Sequence, residues 1–91
     1  MELQWTSKGV SDLTRLYELL ARMNRSTAAR TVQQLTAAPQ VLLTNPRIGE
    51  RLDEFEPRDV RQLLVGGYEM RYEIAGTTLY LLRLWHSREN R

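Results

Sequence analysis

Hydrophobic and polar positions change period along the chain, and each change marks an element. Glu2–Leu3–Gln4–Trp5 alternates and predicts a short strand. From Val10 the period becomes helical: Val10, Leu13, Leu16, Tyr17, Leu20 and Met23 fall on one stripe, with Asp12, Arg15, Glu18 and Arg22 off it. Thr6 or Ser7 caps the start, because a hydroxyl accepts from the free N–H groups of a first turn. The helix is expected to reach about Met23. Asn24 then ends it in a left-handed conformation, and Ser26 caps a second helix. That helix carries Ala28, Ala29, Val32, Leu35 and Thr36, and then Leu42 and Leu43. Pro39 removes an N–H and kinks or breaks its final turns, and Asn45–Pro46 stops it. Two helices joined this tightly predict an antiparallel hairpin.

After Pro57 the period falls to two. Residues 60–65, 68–74 and 78–85 read as three strands. Gly66–Gly67 and Ala75–Gly76–Thr77 are the turns between them, glycine accepting the positive φ of a tight hairpin. Strict alternation puts Tyr68, Met70, Tyr72 and Ile74 on one face, and Glu69, Arg71 and Glu73 on a second, solvated face. In the last strand it puts Tyr80, Leu82, Leu84 and His86 opposite Leu79, Leu81, Arg83 and Trp85. Both sides of that strand are largely apolar, which predicts a central strand or a face covered by a partner. The fold class is α+β. A short N-terminal strand and a helical hairpin precede a three-strand antiparallel meander, with the helices packed on one face of a small sheet.

Composition narrows the chemistry. Ninety-one residues make one domain, 1–91. There is no cysteine and one histidine, so neither a disulfide nor a structural metal site is expected, and no cofactor motif is present. The chain shows neither a signal-peptide pattern nor a run of about eighteen apolar residues, which predicts a soluble, cytoplasmic protein with no membrane partner. Of the thirteen basic residues only Lys8 is a lysine. Arginine surfaces suit phosphate or acidic protein partners. A net charge of only +2 is low for a dedicated nucleic-acid binder, and no sequence-specific nucleic-acid binding is expected. Acidic residues concentrate in ERLDEFEPRD, residues 50–59, which reads as a solvated loop.

Several strings, in order, resemble the RelE/ParE superfamily of bacterial toxins, and most closely its plasmid-stabilisation, ParE-type branch. They are Trp5 before the first helix, Asp12–Leu13 through Leu16, NPRIG at 45–49, VRQLLVGGYEMRYEI at 60–74 and LYLLRLWHSRE at 79–89. The resemblance implies the toxin of a type II toxin–antitoxin pair, held in a hetero-oligomer by a ParD-like antitoxin. It also implies one of two activities. ParE-type members inhibit DNA gyrase and stop replication, whereas RelE-type members cut messenger RNA on the ribosome. The shared fold does not choose between them.

Ribonucleolytic cleavage needs a base, an acid and a cation for the phosphorane. RelE-like nucleases resemble one another in a Tyr-Arg-x-x-Tyr pattern opening the middle strand of the meander. Here the string is Tyr68–Glu69–Met70–Arg71–Tyr72, with Glu69 at the arginine's place. The ribonuclease alternative therefore rests on His86, Arg88 and Arg71. An imidazole's ordinary pKa of about 6.5 suits proton transfer, but one suitable group does not make a site. The favoured reading has no catalytic residue. Arg83, His86, Arg88 and Arg91 bind acidic groups of the target, gyrase, and Leu16, Leu20 and Met23 lie near the antitoxin groove, with core packing as the competing role for all three.

Overall fold

The computed structural model describes residues 1–88. Strand β1 (Glu2–Trp5) leads into helix α1 (Ser7–Ala21), α2 (Arg25–Ala37) and the short α3 (Gln40–Thr44). Then come β2 (Glu50–Arg51), a 3₁₀ turn at Asp53–Phe55, β3 (Asp59–Val65), β4 (Tyr68–Ala75) and β5 (Thr78–His86). The strands form one five-stranded sheet in the order β1-β5-β4-β3-β2. The expected meander is its centre. The expected antiparallel sheet is corrected to a mixed one, because β1 pairs parallel to β5, Glu2 opposite Thr78 and Trp5 opposite Leu81. Among the described residues, β2 adds a second short edge strand from within the acidic run, which is therefore partly structured rather than a plain loop. Gly66 and Gly76 carry the positive φ of the two hairpin turns.

The helices cover one face of this sheet. Leu16 of α1, Leu35 of α2 and Leu42 of α3 close over Met70, Tyr72, Leu79, Leu81 and Leu84. Pro39 separates α2 from α3 and is itself buried. Asn24 does not take the expected left-handed conformation. Its backbone is extended (φ −163°), and its side chain caps α2 by accepting from Thr27 N–H at 3.1 Å, so one residue serves the junction where two were expected.

Two corrections concern faces. The β4–β5 register pairs Arg71 with Arg83 but Tyr72 with Leu81, which leaves Leu82 as an extra residue. The bulge breaks alternation. Leu79 and Leu81 consequently share the helix-facing side with Leu84, not the side opposite it. On α1, the inward face is Gly9, Asp12, Leu13, Leu16 and Leu20, while Val10, Tyr17 and Met23 are exposed. The expected stripe is thus rotated, and Asp12, placed off it by hydropathy, is 6% exposed.

Candidate functional site: the bulged strand and the open sheet face

Strand β1 ends opposite Leu81, so β5 would present bare backbone from Leu82 onwards. The start of α1 covers it. Thr6 N–H donates to Leu81 O at 3.1 Å, and the Thr6 hydroxyl is shared between Leu81 O (3.0 Å) and Leu82 O (3.1 Å). The same oxygen caps α1 by accepting from Gly9 N–H. One turn on, Asp12 Oδ2 accepts from Leu84 N–H at 2.9 Å and from Arg83 Nε at 2.8 Å. Arg83 is thereby held beside the bulge, and the hydrogen bond to Asp12 raises its pKa above the ordinary arginine value. Gly9 is required here: a Cβ would lie 2.7 Å from Leu81 O.

The sheet face away from the helices is not the solvated face that alternation predicts. The Arg71 guanidinium lies 4.9 Å from the ring centre of Trp85 and 5.1 Å from that of Phe55. Two aromatic faces thus hold one cation. Arg71 Nε is buried without a hydrogen-bond partner. Glu69 accepts from Trp85 Nε1 at 3.0 Å and from the Gln62 side-chain amide. Arg58 forks onto Glu73 through Nη2 (2.7 Å) and Nε (3.1 Å), and this pairing raises the Arg58 pKa. Between this face and the first turn of α1 lies a pocket of about 430 Å³, lined by Lys8, Phe55, Arg58, Arg71, Leu82 and Arg83 among others.

His86 stands on the other side. It pairs with Tyr68, in alternation with the core pair Met70 and Leu84, and so lies on the helix-facing surface at the end of the sheet. The two rings meet edge to face at 5.1 Å. Arg88 N–H donates to His86 Nδ1 at 3.1 Å, and a Cβ on Gly67 would approach Nε2 at 3.2 Å. The fold therefore brings His86 and the Arg88 backbone together, puts Arg83 with Arg71 around the pocket, and separates the two groups by the thickness of the sheet. Arg91 lies outside the described residues. Leu16 is a core residue, Leu20 packs at the core margin, and Met23 is 87% exposed.

Asp12, Phe55 and Glu69 were not among the candidates read from sequence. Asp12 has a signal in retrospect: Gly9, Asp12 or Leu13, Leu16 and Leu20 repeat at helical spacing, and a glycine in that row marks close approach to another backbone. Phe55 has none, because its partner lies sixteen residues away on another element. Among the described residues, no three histidine or acidic side chains cluster closely enough to hold a metal, and no helix is long and apolar enough to cross a membrane.

A family model described as the ParE toxin of the type II toxin–antitoxin system, parDE, matches residues 3–91. Among solved structures, a chain of the chromosomal ParDE TA system from P. aeruginosa is similar, with a TM-score of 0.80. The likeness covers 94% of this chain and 95% of that one at 22% identity, and at that identity it is a likeness of fold. No curated protein matches in sequence.

Proposed function

From the premise that the chain belongs to the ParE toxin family of type II toxin–antitoxin systems, we propose that it acts by binding DNA gyrase and blocking replication, and that a ParD-like antitoxin neutralises it. On this reading the toxin makes and breaks no covalent bond. It holds gyrase in the state that carries cleaved DNA. Arg83, His86 and Arg88 belong to the target-binding surface, together with Arg91.

One observation carries the choice against ribonuclease chemistry: His86 and Arg71 project from opposite faces of the sheet. A general acid or base and a phosphorane-stabilising cation must reach one phosphate. Here the acid–base candidate is stacked on Tyr68, and the cation lies between Phe55 and Trp85. Glu69, at the place where the nuclease pattern has arginine, is engaged with Gln62 and Trp85.

The antitoxin would add apolar anchors to the outer surface of the helices, where Met23 is presented, with Leu20 beside it at the core margin. A segment that folds on binding suits such a surface.

The test is pulse labelling just after induction of the chain in bacteria, following thymidine and methionine in parallel. Thymidine incorporation is expected to fall first, with DNA-damage signalling. Methionine falling first would make translation the target and overturn the gyrase reading.

A further inference from the structure

The geometry points to the pocket between the first turn of α1 and the open sheet face as a docking site for a carboxylate-bearing protein segment, with Arg71 as its central cation. The inference goes beyond the choice of gyrase, because it concerns the chemistry of the segment and not the protein that supplies it.

Four cations line the pocket: Lys8, Arg58, Arg71 and Arg83. Two of them already face a carboxylate, Arg58 at Glu73 and Arg83 at Asp12. Among the described residues, Lys8 and Arg71 form no ion pair. The local surplus is therefore two positive charges, enough for one or two carboxylates. Arg71 sharpens the case. Its guanidinium is held by two rings, with Nε buried and unbonded, an arrangement that fixes the cation without neutralising it. A planar, fixed guanidinium is pre-organised for a carboxylate, because little freedom is left to lose when the pair forms.

The surroundings decide between a peptide and a nucleic acid. Phe55 and Leu82 give the pocket apolar walls. Asp53 and Glu54 precede Phe55 in the 3₁₀ turn, both exposed, so the rim beside the cations is acidic. A phosphodiester chain carries charge continuously and would be repelled along that rim. A peptide with one or two acidic residues next to an apolar side chain avoids the rim and fills the walls.

The experiment uses the full chain labelled with ¹⁵N, titrated at low salt with a short blocked peptide alternating glutamate and leucine. Parallel titrations use the glutamine counterpart, inorganic phosphate and a short single-stranded RNA. The glutamate peptide is expected to shift the resonances of Lys8, Phe55, Arg71 and Leu82. Its affinity should drop roughly tenfold in Arg71→Met and in Lys8→Glu, as for a desolvated charge pair lost from a small interface. Lys8 is exposed, so Lys8→Glu keeps the test open if Arg71→Met fails to fold. Equal binding of the glutamine peptide, shifts confined to other surfaces, or tighter binding of RNA or phosphate at these residues would each overturn the proposal.

Discussion

The carboxylate of Asp12, in the first helix, accepts from Arg83 Nε at 2.8 Å and from the backbone N–H of Leu84 at 2.9 Å, across more than seventy residues of chain. One buried acid thus closes the open edge of β5 and aims the arginine beside the bulge. Asp12→Ala leaves the Leu84 N–H unbonded and the Arg83 cation unpaired. It is expected to cost about 3–5 kcal/mol in denaturant unfolding, the range for breaking a buried pair from one side. Arg83→Ala should cost clearly less. Arg83 is about one-third exposed and solvent screens it, while Asp12 keeps the Leu84 bond. Equal losses for the two variants would mean that the edge bond contributes little.

Gly9→Ala is expected to destabilise the protein, although alanine is worth about 1 kcal/mol over glycine in a helix interior. The added Cβ meets a backbone carbonyl, Leu81 O, at 2.7 Å, so helix and strand must move apart. A net loss of about 1–3 kcal/mol follows, as for other overpacked sites. A rise in melting temperature would show that α1 shifts freely along β5.

Tyr72 ties the 46–49 turn to the core. Gly49 N–H donates to its hydroxyl at 2.9 Å, and the hydroxyl donates to Pro46 O at 2.7 Å. Tyr72→Phe should cost about 1–3 kcal/mol, because the Gly49 donor is buried. Burial also raises the Tyr72 pKa, so the folded state holds its proton more tightly than the unfolded chain does. The linked stability is full below the unfolded tyrosine value of about 10 and declines as pH rises from there through the folded value. Unfolding of the wild type between pH 9 and 11 should therefore lose stability more steeply than that of Tyr72→Phe. Parallel slopes would remove Tyr72 as the cause.

The elements that follow from local rules were legible in the sequence. The hairpin turns at Gly66 and Gly76, the break at Pro39 and the buried row Met70–Tyr72 need only alternation and backbone chemistry. The Leu82 bulge was not legible, because it depends on register against β4 and on Thr6 and Asp12 closing the edge. The same fact hid Asp12. Hydropathy puts a carboxylate outside, and only the unpaired Leu84 N–H makes the inside favourable. The candidate site shows the same division. His86 and the arginines were visible as residue types, but their separation onto two faces depends on the bulge.

His86→Ala is expected to leave most growth inhibition intact when the fold, checked by circular dichroism, is preserved. The edge-to-face contact with Tyr68 is worth only about 0.5–1.5 kcal/mol beyond area. Loss of inhibition by a folded variant would return the imidazole to a chemical role.

Leu16 and Met23 should separate stability from antitoxin binding. Leu16→Ala opens a cavity under α1 and is expected to cost about 2–5 kcal/mol. Met23→Glu, at an exposed position, should change unfolding by no more than about 0.5 kcal/mol yet weaken antitoxin capture in calorimetry. Unchanged capture would move the antitoxin footprint off the end of α1.

Strand β1 is made first and β5 last, and they pair directly. During synthesis the opening strand waits for residues 78–81, which are still inside the ribosome when the helices emerge. The long-range pairing can close only near or after chain release, and the bulged edge of β5, with Asp12 upon it, is assembled at the same late moment. The nascent chain therefore carries the whole helical hairpin but not the finished sheet. A bacterium translating this protein is exposed to its completed surface only once the polypeptide has left the machinery that made it.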